Sequence, residues 1–249
     1  MTTTTSRTSR TSRTSRTLIT GANKGLGFET ARRLAAAGHT VYIGSRDAER
    51  GRRAAEQLGV RTVPIDVTDD ASVAAAVKTI EADGGLDVLV NNAGIEIWAP
   101  DGEELGPTET TDEVMRSVFE TNVFGLVRVT RAFLPLLRRS ASPVVVNVSS
   151  SLGSLTESTA PGTPEHAYQG VAYPASKAAV NMITVKYAKA FPGMRINAVN
   201  PGYTATDLNQ HRGTQPVEEG AEIIVRMAQL GPDGPTGGYF DAAVGTLPW

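Results

Sequence analysis

Short apolar runs alternate with longer helical patterns along this chain from Thr17 onward. The apolar runs predict seven strands, at residues 18–20, 40–44, 61–65, 86–91, 144–148, 195–199 and 239–240. The intervening patterns predict helices at residues 26–37, 47–58, 69–82, 110–139, 174–190 and 217–230. Such alternation is typical of a mostly parallel sheet covered by helices on both faces. It predicts a doubly wound α/β fold of seven strands.

Length and composition favour one domain with a small-molecule partner. The 249 residues carry a formal charge of -2 with 40% hydrophobic residues, which suits a single domain over residues 17–249. There is no cysteine, and three scattered histidines argue against a metal site. The charge balance favours neither nucleic acid nor anionic membrane, and no run approaches the roughly 20 apolar residues of a membrane helix. A cytoplasmic location is the expectation.

The first sixteen residues have a composition of their own. Residues 1–16 repeat Thr, Ser and Arg, with arginine at positions 7, 10, 13 and 16 and no apolar residue after Met1. Such a segment cannot bury enough surface to offset the entropy of ordering it. We predict a disordered tail, in preference to a polyanion-binding or targeting segment.

A glycine-rich turn, Thr20-Gly-Ala-Asn-Lys-Gly-Leu-Gly27, joins the first strand to the first helix. Gly21 allows a tight turn, Gly25 lets the backbone approach a phosphate, and Gly27 permits close packing of helix on sheet. The free N–H groups of the helix start attract the anion. The turn therefore predicts a dinucleotide site, formed by Gly21, Asn23, Lys24, Gly25, Leu26 and Gly27.

The end of the second strand discriminates between the two nicotinamide dinucleotides. NAD sites usually place a carboxylate there to accept from the ribose 2′-hydroxyl, whereas this chain has Gly44-Ser45-Arg46. Arg46, helped by Lys24, can bind a 2′-phosphate through charge-assisted hydrogen bonds. Asp47 is expected to cap the next helix. The cofactor prediction is NADP(H).

Two further strand ends carry residues suited to a cofactor. Asp66 can accept a hydrogen bond from an adenine amino group and Val67 can pack on the ring, although a turn or capping role for Asp66 is the alternative. After the fourth strand comes Asn91-Asn-Ala-Gly94, whose small and amide side chains let the backbone pass close to a ribose. Asn92, Ala93 and Gly94 are therefore predicted cofactor contacts.

An acid/base pair is indicated by Tyr173-Pro-Ala-Ser-Lys177 at the start of a helix. A spacing of four puts Tyr173 and Lys177 on one helix face, where an ammonium could stabilise the ionised phenol. Taken alone, such a pair is usually ordinary helix surface. The serines at 149–151 follow a buried strand, where a hydroxyl could orient a carbonyl group or simply form a turn.

Together these segments resemble the short-chain dehydrogenase/reductase family, and within it the carbonyl reductases. The match runs from about Thr17 to Phe240 and keeps the order of the family motifs, which here are Thr20–Gly27, Asn91–Gly94, Asn122, Val146–Ser150, Tyr173–Lys177 and Asn200–Gly202. The resemblance implies a Rossmann-type fold and NADPH-dependent reduction of a ketone or aldehyde.

The resemblance also implies a role for each of four catalytic residues. Tyr173 is the general acid, Ser150 polarises the carbonyl, and Lys177 binds the nicotinamide ribose and lowers the tyrosine pKa. Asn122 anchors a water of a proton relay. Pro201, Gly202 and Thr204, with Thr206 less firmly, resemble the segment that contacts the nicotinamide carboxamide, and Tyr173 and Lys177 also contact the cofactor.

One departure from the family is a longer connection over residues 151–172, rich in Thr, Ser, Pro and Gly, which predicts an irregular loop. It could line the pocket, and it could also disturb the surface through which relatives associate, so monomer and homo-oligomer both stay open. The predicted pocket walls are apolar or aromatic and suit a hydrophobic carbonyl compound: Ile95, Ile97, Trp98, Leu152, Leu155 and Tyr203.

Two other functions are weighed against the reductase. The same four residues could serve an alcohol or hydroxysteroid dehydrogenase that works oxidatively. A noncatalytic NADP-binding regulatory protein could also share the fold, because fold does not determine function. Arg46 with Lys24 favours reduction, and the complete set of four catalytic residues favours an enzyme.

Overall fold

A computed structural model describes residues 14–249 of the chain. Within that range, eight strands form one sheet in the order β3-β2-β1-β4-β5-β6-β7-β8. The strands are β1 (Arg16–Thr20), β2 (Thr40–Ser45), β3 (Arg61–Pro64), β4 (Val88–Asn91), β5 (Val144–Val148), β6 (Arg195–Asn200), β7 (Tyr239–Asp241) and β8 (Gly245–Thr246). Neighbouring strands from β3 to β7 pair in parallel, and β8 pairs antiparallel to β7.

Helices connect the parallel strands and cover both faces of the sheet. They are α1 (Gly25–Ala36), α2 (Ala48–Leu58), α3 (Asp70–Ala82), α4 (Asp112–Phe119), α5 (Leu126–Leu137), α6 (Leu155–Thr159), α7 (Pro164–Ala167), α8 (Ala172–Ala190) and α9 (Val217–Ala228). A π-helical turn, Glu120–Gly125, joins α4 to α5, and two 3-10 turns occupy Ser151–Gly153 and Asp207–Asn209. No helix among residues 14–249 is both long and apolar enough to cross a membrane.

The predicted Rossmann-type α/β fold is confirmed, with one strand more than predicted. The seven predicted strands form the parallel part of the sheet, and the eighth strand is the exposed pair Gly245–Thr246. Two exposed residues have no apolar alternation to reveal a strand. The predicted cap of α2 is also confirmed, because Asp47 Oδ1 accepts from the backbone N–H of Arg50 at 2.9 Å.

The core consists of two apolar layers, one on each face of the sheet. In β4, Leu89 faces one layer, whereas Val88 and Val90 face the other. Successive side chains of a strand point to opposite faces, so a strand covered on both sides is apolar throughout. Because each central strand is packed on both faces, the carboxyl ends of the strands are held in place by the core.

Two segments have other helices than the sequence predicts. The long helix predicted at residues 110–139 is divided into α4, the π-helical turn and α5, and Pro135 lies inside α5. The predicted irregular loop at residues 151–172 contains a 3-10 turn, α6 and α7. Side-chain caps nucleate the two short helices, since Ser154 Oγ accepts from Glu157 N and Thr163 Oγ1 accepts from His166 N.

The tail predicted at residues 1–16 lies outside the described residues up to position 13. Its last residue, Arg16, is instead the first residue of β1. The backbone N–H of Arg16 donates to Asp87 Oδ2 at 3.0 Å, and the strand begins two residues before the predicted apolar run.

The strand order reverses direction at β1, which lies between β2 and β4. Connections leave β1 and β4 toward opposite faces there, and they open a crevice at the carboxyl ends of the strands. The segments predicted to form a site all leave this edge of the sheet.

Candidate active site

A cavity of about 1140 Å³ lies at the carboxyl edge of the sheet. Ligand pockets usually measure about 300–1,000 Å³, so this cavity has room for a large cofactor with a small substrate beside it. It is lined by all but three of the predicted site residues: Gly21, Asn23, Lys24, Gly25, Leu26, Gly27, Arg46, Asp66, Val67, Asn92, Ala93, Gly94, Ile95, Trp98, Ser150, Leu152, Tyr173, Lys177, Pro201, Gly202, Tyr203, Thr204 and Thr206. The exceptions are Asn122, Ile97 and Leu155.

The glycine-rich turn forms one end of the cavity. Gly25 has a φ of 57°, and a Cβ placed on it would find only Thr206 within 4 Å, so this part of the turn is open to the cavity. Gly27 is tightly packed, because a Cβ there would lie 2.6 Å from Asn92 Nδ2. That amide donates to the carbonyls of Thr20 and Gly21 at 2.9 and 3.1 Å and holds the turn against the end of β4. An open turn at a helix start fits a pyrophosphate.

The two predicted cations differ in their availability. Arg46 is exposed, lines the cavity and makes no hydrogen bond or ion pair with a residue of the described range. Lys24 is ion-paired with Asp207, whose second oxygen lies 2.8 Å from His211 Nε2. Arg46 therefore has no hydrogen bond or ion pair to break before it binds an anion, whereas the charge of Lys24 is already offset by Asp207.

Asp66 has the turn geometry that was the alternative to an adenine contact. Its Oδ1 accepts from Thr68 N at 2.9 Å and from Thr68 Oγ1 at 2.7 Å, and these hydrogen bonds lower the pKa of the carboxyl group. Val67 packs against the backbone of Gly125. Both residues line the cavity, so the turn presents them to a ligand and is compatible with a cofactor contact.

Tyr173 and Lys177 lie one helical turn apart on α8. The Lys177 Nζ donates to the carbonyl of Val148 at 2.9 Å and lies 5.3 Å from the centroid of the Tyr173 ring. Burial lowers the pKa of Lys177 to about 8. Burial raises the pKa of Tyr173 well above its usual value, and Glu96 adds to the rise, whereas a hydrogen bond with Ser150 opposes it.

Burial is the main influence on the pKa of Tyr173 and favours the protonated phenol. The lowering by Lys177 that the family resemblance implies stays a prediction. Loss of solvation disfavours the charged phenolate. The ammonium of Lys177 is directed at the carbonyl of Val148. A protonated phenol can act as an acid, and it gives up its proton more readily when its pKa is lowered toward the working pH.

Of the three serines after β5, only Ser150 is associated with the tyrosine. Ser149 is buried and donates to Asn181 Oδ1 at 2.6 Å, and the backbone N–H of Ser151 donates to Asn200 Oδ1. Ser150 interacts with the Tyr173 hydroxyl, and its own Oγ accepts only a long contact of 3.3 Å from Leu152 N. Ser150 is therefore the serine available to a substrate carbonyl.

Asn122 lies behind the cavity wall, in the π-helical turn. Its Oδ1 accepts from Ile95 N at 2.8 Å, and its Nδ2 donates to Ile95 O at 2.9 Å and to Ser176 Oγ at 3.0 Å. π-helical turns often occur at functional sites. Here the turn aims one amide at the loop after β4 and at α8, and it ties the two segments that carry the predicted pocket and Tyr173.

Some residues of the predicted nicotinamide segment and pocket walls line the cavity, and others do not. Thr204 is buried, and its hydroxyl accepts from Gln215 Nε2 at 2.9 Å, which makes it part of the segment's internal structure. Trp98 Nε1 donates to Leu208 O at 2.9 Å and joins two walls of the cavity. Ile97 and Leu155 do not line the cavity, and Leu155 at the start of α6 is 71% exposed.

A half-buried carboxyl group in the cavity has no predicted role. Glu96 lines the cavity and accepts a hydrogen bond from the hydroxyl of Tyr168, in the long connection before α8. Burial raises the pKa of Glu96 to about 7 and Glu104 adds to the rise, while Tyr168 and Lys177 oppose it. The partners are 72 residues apart, and no local pattern could have paired them.

A doubly wound sheet with an open glycine turn and a Tyr/Lys pair in one crevice defines a dinucleotide-binding oxidoreductase. The family model for short chain dehydrogenases matches residues 15–216. The chain is 34% identical to a (+)-neomenthol dehydrogenase from Capsicum annuum, over 90% of this chain and 94% of that protein. This chain belongs to the short-chain dehydrogenase family and is an oxidoreductase.

Two solved structures share the fold over almost the whole chain. The salutaridine reductase of Papaver somniferum superimposes with a TM-score of 0.79 at 30% identity, and covers 92% of this chain and 100% of its own. A carbonyl reductase from chicken fatty liver, in a structure with NADPH bound, gives a TM-score of 0.80 at 26% identity, covering 95% of this chain and 100% of its own. Ketone and carbonyl reductases are thus among the relatives.

Proposed function

We propose that this protein reduces a ketone or aldehyde to the alcohol with NADPH as the hydride donor. The observation that carries the proposal is the cavity in which Ser150, Tyr173 and Lys177 meet, continuous with the glycine turn and with Arg46. Bound NADPH would supply the hydride to the carbonyl carbon. The remaining steps belong to residues of the chain.

Binding of the cofactor is assigned to three groups of residues. The glycine turn and the first N–H groups of α1 would hold the pyrophosphate. Arg46, which makes no hydrogen bond or ion pair among the described residues, would bind the ribose 2′-phosphate, while Asp66 and Val67 would flank the adenine. Lys177, Pro201 and Gly202 would hold the nicotinamide end, and Asn92, Ala93 and Gly94 let the backbone pass close to it.

Proton transfer is assigned to Tyr173. Ser150 would donate to the substrate oxygen and orient it toward the phenol, and the protonated Tyr173 would give its proton to that oxygen as negative charge develops on it. Lys177 would then stabilise the tyrosinate and help to restore its proton. Asn122 would hold Ile95 against α8 and would anchor a water of the proton relay.

The substrate is expected to be a small carbonyl compound with hydrophobic groups. Ile95, Trp98, Leu152 and Tyr203 supply apolar and aromatic surface beside Tyr173. Such walls suit an apolar body, while a few polar groups fix its orientation.

The test is consumption of NADPH and NADH with aryl ketones, ketoesters and aldehydes, with the product identified by chromatography. We expect the alcohol to form in step with NADPH oxidation, at a kcat/KM at least about tenfold above that with NADH. Turnover only from alcohol and NADP⁺ would support the oxidative dehydrogenase instead. Tight NADPH binding without turnover in either direction would support a regulatory protein.

A further inference from the structure

The substrate end of the cavity contains one carboxyl group whose surroundings leave it half-satisfied. Glu96 Oε1 accepts from the Tyr168 hydroxyl. No group within residues 14–249 donates to Glu96 Oε2. The side chain is half-buried and lines the cavity, so Oε2 can accept a hydrogen bond from a ligand.

The backbone on both sides of Glu96 is held firmly. On one side, Asn122 binds both the N–H and the carbonyl of Ile95, at 2.8 and 2.9 Å. On the other, Trp98 forms a bridge with Glu104 and donates from its indole to Leu208 O at 2.9 Å. Because these neighbours are fixed, the carboxyl group is preorganised with respect to Tyr173.

Tyr168 is placed just as firmly from the opposite wall. Its ring lies directly over Gly170, where an added Cβ would come within 2.4 Å of the ring, and the N–H of Gln169 donates to Glu104 Oε2 at 3.0 Å. Burial raises the pKa of the Tyr168 hydroxyl, which therefore stays a donor at physiological pH. Its proton is committed to Oε1, and Oε2 remains for another donor.

Glu96 is also within electrostatic reach of the reacting groups. Burial is the larger influence on the pKa of both Tyr173 and Lys177; the charge of Glu96 adds to the rise for Tyr173 and opposes the fall for Lys177. The carboxyl groups of Glu104 and Glu165 also line the cavity, and Glu104 adds to the rise in the pKa of Glu96. A donor bound at Glu96 would thus belong to the same small molecule whose carbonyl faces Tyr173.

We propose that Glu96, positioned by Tyr168, is a specificity residue that accepts a hydrogen bond from a hydroxyl or protonated amine on the carbonyl substrate. This proposal rests on the proposed reductase function and narrows its substrate to ketones or aldehydes with a second, hydrogen-bond-donating group. Tyr168 acts through Glu96 and is a positioning residue.

The test uses three aryl ketones that share one ring and differ in one ring substituent, which is hydrogen, hydroxymethyl or aminomethyl. The readout is the ratio of kcat/KM for each donor-bearing ketone to that of the parent. We expect one of the donor-bearing ketones to exceed the parent by about tenfold to a hundredfold in the wild type. Glu96→Leu, which removes the acceptor, should bring the ratio close to one.

Further variants distinguish a hydroxyl donor from an ammonium donor and test the positioning role of Tyr168. Glu96→Gln keeps an acceptor and loses the charge, so preference for a hydroxyl should survive in it and preference for an ammonium should be lost. Tyr168→Phe should reduce the ratio without abolishing it. The control is Glu157→Gln, the same charge change in α6 outside the cavity, which should leave the ratio unchanged.

The inference is overturned if the wild type reduces all three ketones equally well, or if the donor preference persists in Glu96→Leu. Failure of the proposed function has a different signature, because the parent ketone itself would then not be reduced with NADPH.

Discussion

Arg46 is the residue on which the choice of cofactor depends. It follows β2 at the point where a carboxylate would select NAD, and it makes no ion pair within the described part of the chain. Lys24, predicted to assist it, is engaged by Asp207. Lys24 and Asp207 are 183 positions apart in the sequence. The sequence therefore showed both cations but not that Lys24 is paired with Asp207.

Replacing Arg46 by alanine should weaken NADPH binding and leave NADH binding almost unchanged. A charge-assisted hydrogen bond contributes about 1.5–3 kcal/mol, which corresponds to a loss of about tenfold to a hundredfold in affinity for NADPH. Fluorescence titration of each cofactor measures the effect. Arg50→Ala is the matched control, because Arg50 is exposed, pairs with Asp47 and does not line the cavity. Equal losses for both cofactors in Arg46→Ala would contradict the 2′-phosphate role.

At the level of elements, the serine-bearing 3-10 turn and α8 must stay in contact for Ser150 to reach Tyr173. Gly153 makes this contact possible, since a Cβ there would lie 2.6 Å from the carbonyl carbon of Lys177 and 2.8 Å from Ala178 N. Both neighbours are backbone atoms of α8, which cannot move aside as a flexible side chain could.

Gly153→Ala should therefore destabilise the protein and impair catalysis together. Overpacking of this kind costs about 1–3 kcal/mol in the free energy of unfolding, and we expect kcat/KM to fall by about tenfold or more as Ser150 moves from Tyr173. Urea unfolding and steady-state kinetics measure the two effects. Gly231→Ala is the control, because a Cβ at Gly231 meets nothing within 4 Å. A Gly153→Ala variant that matches this control would contradict the packing argument.

The elements that sequence could predict are those with a local signal. Buried strands are apolar throughout, the glycine turn follows a strand, and the spacing of Tyr173 and Lys177 places both on one face of α8. The π-helical turn that carries Asn122 has no such signal, because helical periodicity continues through residues 110–139. Likewise, the pairing of Glu96 with Tyr168 arises only when the long connection folds over the loop after β4.

At the scale of the whole molecule, burial of titratable groups in the cavity makes stability depend on pH. The pKa of Glu96 rises from 4.5 to about 7 on folding, so the folded state holds its proton longer than the unfolded state does. Stability from this group is full below about pH 4.5 and is lost as pH rises through about 7. Lys177 has the opposite sign, because its pKa falls from 10.5 to about 8 and stability rises as pH increases between those values.

We expect the free energy of unfolding to decrease between about pH 5 and pH 7.5 more steeply in the wild type than in Glu96→Gln. The difference should be about 1–3 kcal/mol, given 1.36 kcal/mol per pKa unit and partial screening by solvent. Urea unfolding of both proteins at the two pH values measures it. Identical pH dependence in wild type and variant would show that Glu96 does not keep its proton on folding.

The account as a whole requires that Tyr173 give its proton to a substrate that NADPH reduces. The most direct measurement is the single-turnover rate of ketone reduction by wild type and Tyr173→Phe, together with NADPH affinity. We predict that the variant binds NADPH within about threefold of wild type and loses about a hundredfold to ten-thousandfold in rate, which is the usual contribution of a positioned acid. A variant that binds NADPH and still reduces the ketone at nearly the wild-type rate would contradict the mechanism.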